Sequence, residues 1–112
     1  MAEPYLAQIV DIIERLGPIA ADNITIEARH FFSGAALYAD GKIFASLSPA
    51  GFAVKLEDEL RESLLTEHKG NEFRFFPKGP IKKEYVAISD PVLEDEQFLK
   101  ELLDLSAVYV VS

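Results

Sequence analysis

The densest set of groups able to attract a ligand lies between residues 69 and 83. The run KGNEFRFFPKGPIKK carries Lys69, Arg74, Lys78, Lys82 and Lys83 against Glu72 alone, a local balance of +4 in a chain whose formal net charge is −8. Three phenylalanines, Phe73, Phe75 and Phe76, interleave with the cations. Ammonium and guanidinium groups draw anions, and aromatic faces beside them can stack on bases. Arg74, Lys78, Lys82 and Lys83 are therefore a candidate anion-contact patch. The competing reading is structural and is favoured. Alternation puts Phe73 and Phe75 on the core side of a strand and leaves the cations to solvate a loop.

Other chemistry finds less support. There are no cysteines and two histidines, His30 and His68, far apart in sequence. Thiolate metal sites, disulfides and cysteine nucleophiles are excluded together, and the histidine spacing matches no zinc motif. Ser33-Gly34 lacks the several glycines and following helix of a phosphate-binding loop, and a strand follows it instead. Glu57, Asp58 and Glu59, like Glu94, Asp95 and Glu96, read as solvated first turns of helices. Paired catalytic carboxylates need burial that separates their pKa values. No residue pattern calls for a cofactor.

Elements that would position these groups follow from length and periodicity. The 112 residues, 49% hydrophobic and 27% charged, suit one globular domain that buries roughly 65% of the surface its unfolded chain exposes. Neither a signal peptide nor an apolar run long enough to span a membrane is present, so a soluble cytoplasmic protein is expected. The excess of acid disfavours nucleic acid as a direct ligand.

Leu6, Ile9, Ile13 and Leu16 form a helical stripe that Gly17-Pro18 stops. ITIEARHFF alternates as a strand. AALYA and KIFASL flank Asp40-Gly41, a pair suited to a type I′ hairpin turn. SPAG turns into a further strand, FAVKL. In this pattern Leu37 and Ala39 share one face with Ile43, Ala45 and Leu47, and Tyr38, Phe44 and Ser46 point the other way.

EDELRESLLTEHKG reads as a helix ended by Gly70, followed by two strands around the Pro77–Pro80 loop. A last helix after Asp90-Pro91 places Phe98, Leu102, Leu105 and Tyr109 on its stripe. The expected architecture is α+β and two-layered. A mostly antiparallel sheet, a meander of three strands plus two further strands, carries three helices on one side.

The run Arg29-His30-Phe31-Phe32-Ser33-Gly34-Ala35-Ala36-Leu37-Tyr38-Ala39-Asp40-Gly41-Lys42-Ile43-Phe44-Ala45 resembles the TfoX (Sxy) N-terminal domain family. That family carries an arginine, a Met-Phe-Gly-Gly-like start, a Leu-Tyr pair, an Asp-Gly turn and a Phe-Ala in the next strand. The likeness continues in GFAVKLEDE and YVAISDPVLED and covers roughly residues 24 to 104. Phe31, Ser33 and Ala36 depart from the usual methionine and glycines, which marks a divergent member. The resemblance implies a fold similar to secretion-chaperone-like domains. It also implies a role beside transcription, since the better-known members promote competence genes alongside the cyclic-AMP receptor protein. Those members have a second helical domain; this chain resembles the single-domain ones.

Three functional expectations follow. The first is a non-enzymatic binding module acting through protein contacts, with the transcription machinery as a candidate partner. The second is a small-ligand binder or enzyme whose concave sheet face is lined by Tyr38, Phe44 and Tyr85, with Arg29 as a polar anchor. The third is a homodimer formed through the apolar stretch LSAVYVVS, where Val108, Val110 and Val111 exceed the needs of one helical stripe.

Overall fold

The computed structural model describes residues 3–19 and 23–112. Helix α1 spans Glu3–Leu16 and ends as its sequence requires: Gly17 takes φ +86°, and its N–H donates to Ile13 O at 3.1 Å. Strands β1 (Ile26–Phe31), β2 (Gly34–Ala39), β3 (Lys42–Ser48) and β4 (Gly51–Lys55) form an antiparallel meander. Helix α2 (Asp58–Thr66) leads to the short strand β5 (Gly70–Glu72). A long loop, residues 73–84, then returns to β6 (Tyr85–Ile88), which pairs with both β4 and β5. Helices α3 (Asp90–Glu94) and α4 (Glu96–Val111) complete the chain. The six-stranded sheet has the order β1-β2-β3-β4-β6-β5.

The α+β, mostly antiparallel expectation holds, and the four strand segments read before α2 all join the meander, which has four strands and not three. Asp40 and Gly41 adopt φ +49° and +83°, the left-handed pair a type I′ turn needs. Helices α1 and α4 cover one face of the sheet, where Leu37, Phe44, Val54, Val86, Leu102 and Leu103 are fully buried in one apolar cluster.

Several local expectations fail for identifiable reasons. Phe44 does not point away from that core. The β2–β3 register jumps between Leu37↔Ala45 and Tyr38↔Ile43, a bulge that leaves Phe44 without a cross-strand partner and turns its ring under the helices. The residue is fully buried, so it is no sheet-face contact.

The carbonyl freed at this bulge meets Ser106 of α4. The Ser106 hydroxyl donates to Lys55 O at 2.5 Å and lies 3.1 Å from Phe44 O. Ser106 and Ala107 are small enough to bring α4 close to the sheet. The buried stripe is consequently Leu99, Leu102, Leu103, Ser106 and Ala107, and Leu105 and Tyr109 are exposed. Asp95 separates α3 from α4 and caps the latter by accepting from Phe98 N at 3.2 Å.

Gly70 opens β5 rather than ending a helix, because α2 stops at Thr66 and His68 takes the left-handed turn at φ +60°. A Cβ at Gly70 would come 2.6 Å from Val86 Cγ2. Phe73 and Phe75 lie in the loop after β5 and not on a strand. No helix among the described residues is long and apolar enough to cross a membrane.

Candidate functional site

The face of the sheet turned away from the helices carries a row whose four central residues are small. Arg29, Ala36, Ser46, Ala53, Ala87 and Asn71 follow one another across all six strands in that register. Such a row has no bulk to fill, so the 73–84 loop can lie close upon it. Lys82 N–H donates to Phe73 O at 2.7 Å, and Gly79 N–H donates to Phe76 O at 2.9 Å. The Arg74 guanidinium Nε donates to Gly79 O at 3.1 Å. A Cβ at Gly79 would come 2.8 Å from the Phe76 ring, so a larger residue there would push that exposed ring aside.

This loop delivers an aromatic cluster to the sheet. Phe73 is buried against Ala53 and Tyr85. Phe75 lies with ring centroids 4.8 Å from Phe73, 5.8 Å from Tyr85 and 5.7 Å from Phe31. The edge-on and tilted geometries are the ones aromatic quadrupoles favour. Phe32, in the β1–β2 turn, reaches Phe75 at 6.0 Å and Phe31 at 4.3 Å. Its φ of +52° is strained for a bulky side chain, and it is 80% exposed. Phe76 is also exposed, at 60%.

Between the two exposed rings and the sheet lies a cavity of about 400 Å³. Phe31, Phe75 and Pro80 contribute apolar wall, and Ser33, Ser46 and Ser48 contribute hydroxyls. Lys82 stands over Phe75, its Nζ 6.0 Å from the ring centroid, and lines the same cavity. Ser46 is 1% exposed, and its Oγ has no hydrogen-bond partner among the described residues. Ser48 Oγ accepts from Ala50 N at 3.1 Å, which leaves its own proton free to be donated. On the other side of Phe75 and Phe76 a shallower cleft of about 610 Å³ runs past Arg74, Pro49 and Ala87.

The residues singled out from sequence are distributed unevenly. Arg74 shapes the loop through its bond to Gly79, and Lys78 is exposed on that loop. Lys82 reaches the cavity, and Lys82 and Lys83 border a separate groove beside Arg61 and Tyr85. Lys69, in the same basic run, lies elsewhere: it pairs with Glu67 at 3.0 Å and sits over Phe98 at 5.1 Å.

Arg29, Tyr38 and Tyr85 share the loop side of the sheet, and Phe44 is excluded from it. The Arg29 guanidinium lies 5.0 Å above the Tyr38 ring and pairs with Glu27 at 2.9 Å. Lys55 lies 5.4 Å from the Tyr85 ring centroid. Burial, followed by the charge of Glu84 and the influence of Tyr38, pushes the Tyr85 hydroxyl up to about 12.

The serines were missed by sequence reasoning. The available signal was their alternation: Ser46 and Ser48 lie two apart on a strand whose other face is apolar. Among the described residues, no group of three or more His, Cys, Asp or Glu could hold a metal ion.

Comparison with known proteins covers the hairpin from which the resemblance was drawn. No curated protein is similar enough to match the chain. The family model for the TfoX N-terminal domain matches residues 19–108, which include all six strands and most of α4. The chain belongs to the TfoX N-terminal domain family.

Proposed function

We propose that this domain is a non-catalytic binding module, a transcription- or competence-associated regulator that acts through protein contacts. Its family suggests a competence-associated or regulatory module. The observation that carries the reading is the exposed pair Phe32 and Phe76, 80% and 60% accessible, with Phe32 packed against Phe31 and Phe75. An aromatic ring held in water by a strained turn supports a role as a contact anchor. The net charge of −8 favours a protein partner over nucleic acid. Cytoplasmic location and a transcription partner fit this role.

Biolayer interferometry of the tagged domain against RNA polymerase and the cyclic-AMP receptor protein tests it. Binding to one of them, lost in a Phe32→Ser/Phe76→Ser variant that melts at the parent temperature, is the expected result. No binding to either protein, or equal binding by the variant, overturns it.

A second reading rests on α4. Leu105, Val108 and Tyr109, at i, i+3 and i+4, are 54%, 47% and 40% exposed along one side of the helix. Such a stripe supports self-association. Sedimentation equilibrium showing a dimer that Leu105→Lys dissociates would favour it, and a monomer at high concentration would remove it.

A further inference from the structure

The cavity beneath the aromatic rim has a feature that a plain protein-contact surface does not need. Ser46 sits in the middle of the sheet, between Ala36 and Ala53 on the neighbouring strands. Its hydroxyl is buried, lines the cavity and is unpartnered among the described residues. A buried hydroxyl without a partner destabilises the free protein, and alanine, the residue beside it on both strands, would avoid that cost. A bound group that hydrogen-bonds to Ser46 would remove the penalty.

The rest of the lining narrows what that group can be. Ser33 and Ser48 add hydroxyls, and Lys82 adds one ammonium. Lys82 makes no ion pair among the described residues, and no acidic side chain lines the cavity. One cation with hydroxyl donors balances a single negative charge. A phosphate dianion would meet one ammonium beside an apolar wall, leaving its second charge uncompensated. The remaining wall, with Phe31, Phe75 and Pro80, offers ring faces and edges to a flat apolar body. A volume of about 400 Å³ falls within the range of small-molecule sites and leaves room for such a body with a short polar end.

We propose that this cavity is a binding site for a small aromatic monocarboxylate, its carboxylate meeting the Lys82 ammonium and the Ser46 hydroxyl and its ring lying against Phe75. The site goes beyond the protein-contact reading and does not depend on it. Phe32 and Phe76 form the rim that a protein would touch, Ser46 is buried at the floor, and Lys82 lines the same cavity.

The test is a titration of the full ¹⁵N-labelled chain followed by NMR, with 3-phenylpropionate and its neutral amide as probes. Saturable shifts should centre on the backbone amides of Ser46, Ser48 and Phe75. The amide should bind roughly tenfold more weakly, the ratio expected for one charge-assisted hydrogen bond. Lys82→Met should abolish the preference for the acid while keeping the apolar contact, and Ser46→Ala should weaken the acid several-fold without lowering the melting temperature. Ser46→Val, which fills the floor, should prevent binding of both probes. Absence of saturable shifts with the acid, equal affinity for acid and amide, or unchanged binding in Ser46→Ala overturns the proposal. Loss of protein binding in the Phe32/Phe76 variant alone leaves these expectations in place, so the two readings fail separately.

Discussion

The two faces of the sheet are built on opposite plans. The helix-covered face is filled with large side chains, Phe44, Leu37, Leu102 and Leu103 among them, and the carbonyls of Phe44 at its bulge and of Lys55 at the end of β4 are met by Ser106. The loop-covered face has small residues at its centre, a roof of phenylalanines, and between that roof and Ser46 and Ser48 a cavity containing an unsatisfied hydroxyl. One face has been closed for stability. The other gives up packing density and a hydrogen bond and keeps a space. A domain of this size has a single main core, so the helix face carries most of the folding energy and leaves the loop face free to hold a site.

Emptying the closed face should give the largest effect. Phe44→Ala removes a fully buried ring at the bulge and should destabilise the domain by about 3–5 kcal/mol, read as a lower urea midpoint. A loss well below that range would mean that this face is not the main core.

High pH separates the faces next. The Tyr85 hydroxyl, on the loop side, titrates near 12 in the folded chain against 10.0 ordinarily. The unfolded chain therefore releases this proton first. The associated stability is fully present below pH 10 and is lost as pH rises from 10 through 12. Tyr85→Phe should flatten this part of the stability profile, measured by urea unfolding at pH 8 to 12.

Changing the floor should have the opposite sign from changing the core. Ser46→Ala should raise stability by about 1 kcal/mol in the absence of any ligand, seen as a higher melting temperature. A decrease would show that the hydroxyl is satisfied and that the contrast between the faces is smaller than described.

The smallest effect belongs to the outer layer of the helix face. Arg15 of α1 pairs with Glu96 of α4 at 2.6 Å, but both side chains are about half exposed. Arg15→Ala should cost less than about 1 kcal/mol, a difference that 0.5 M salt should erase.

Local chemistry legible along the chain accounts for much of this. The Asp40-Gly41 turn, the Gly17 helix stop, the order of elements and the antiparallel sheet follow from glycine's backbone freedom and from apolar periods of 3.6 and 2. Those signals involve residues within a few positions of one another, so one sequence suffices to read them. The family resemblance rests on the same hairpin and extends over most of the chain.

Three outcomes were settled only by tertiary contacts. The β3 bulge reverses the side on which Phe44 lies, and nothing within β3 itself signals an extra residue, because the irregularity exists only in pairing with β2. The stripe of α4 is chosen by where Ser106 can reach the Phe44 and Lys55 carbonyls, 62 and 51 residues away. The site itself joins Phe32 and Ser46 to Phe75 and Lys82, segments separated by the whole of α2 and β5. Spacing along a chain reports which residues can share a face. It does not report which loop will cover that face, because that depends on long-range packing against a floor of small residues whose fit exists only once all six strands are in register.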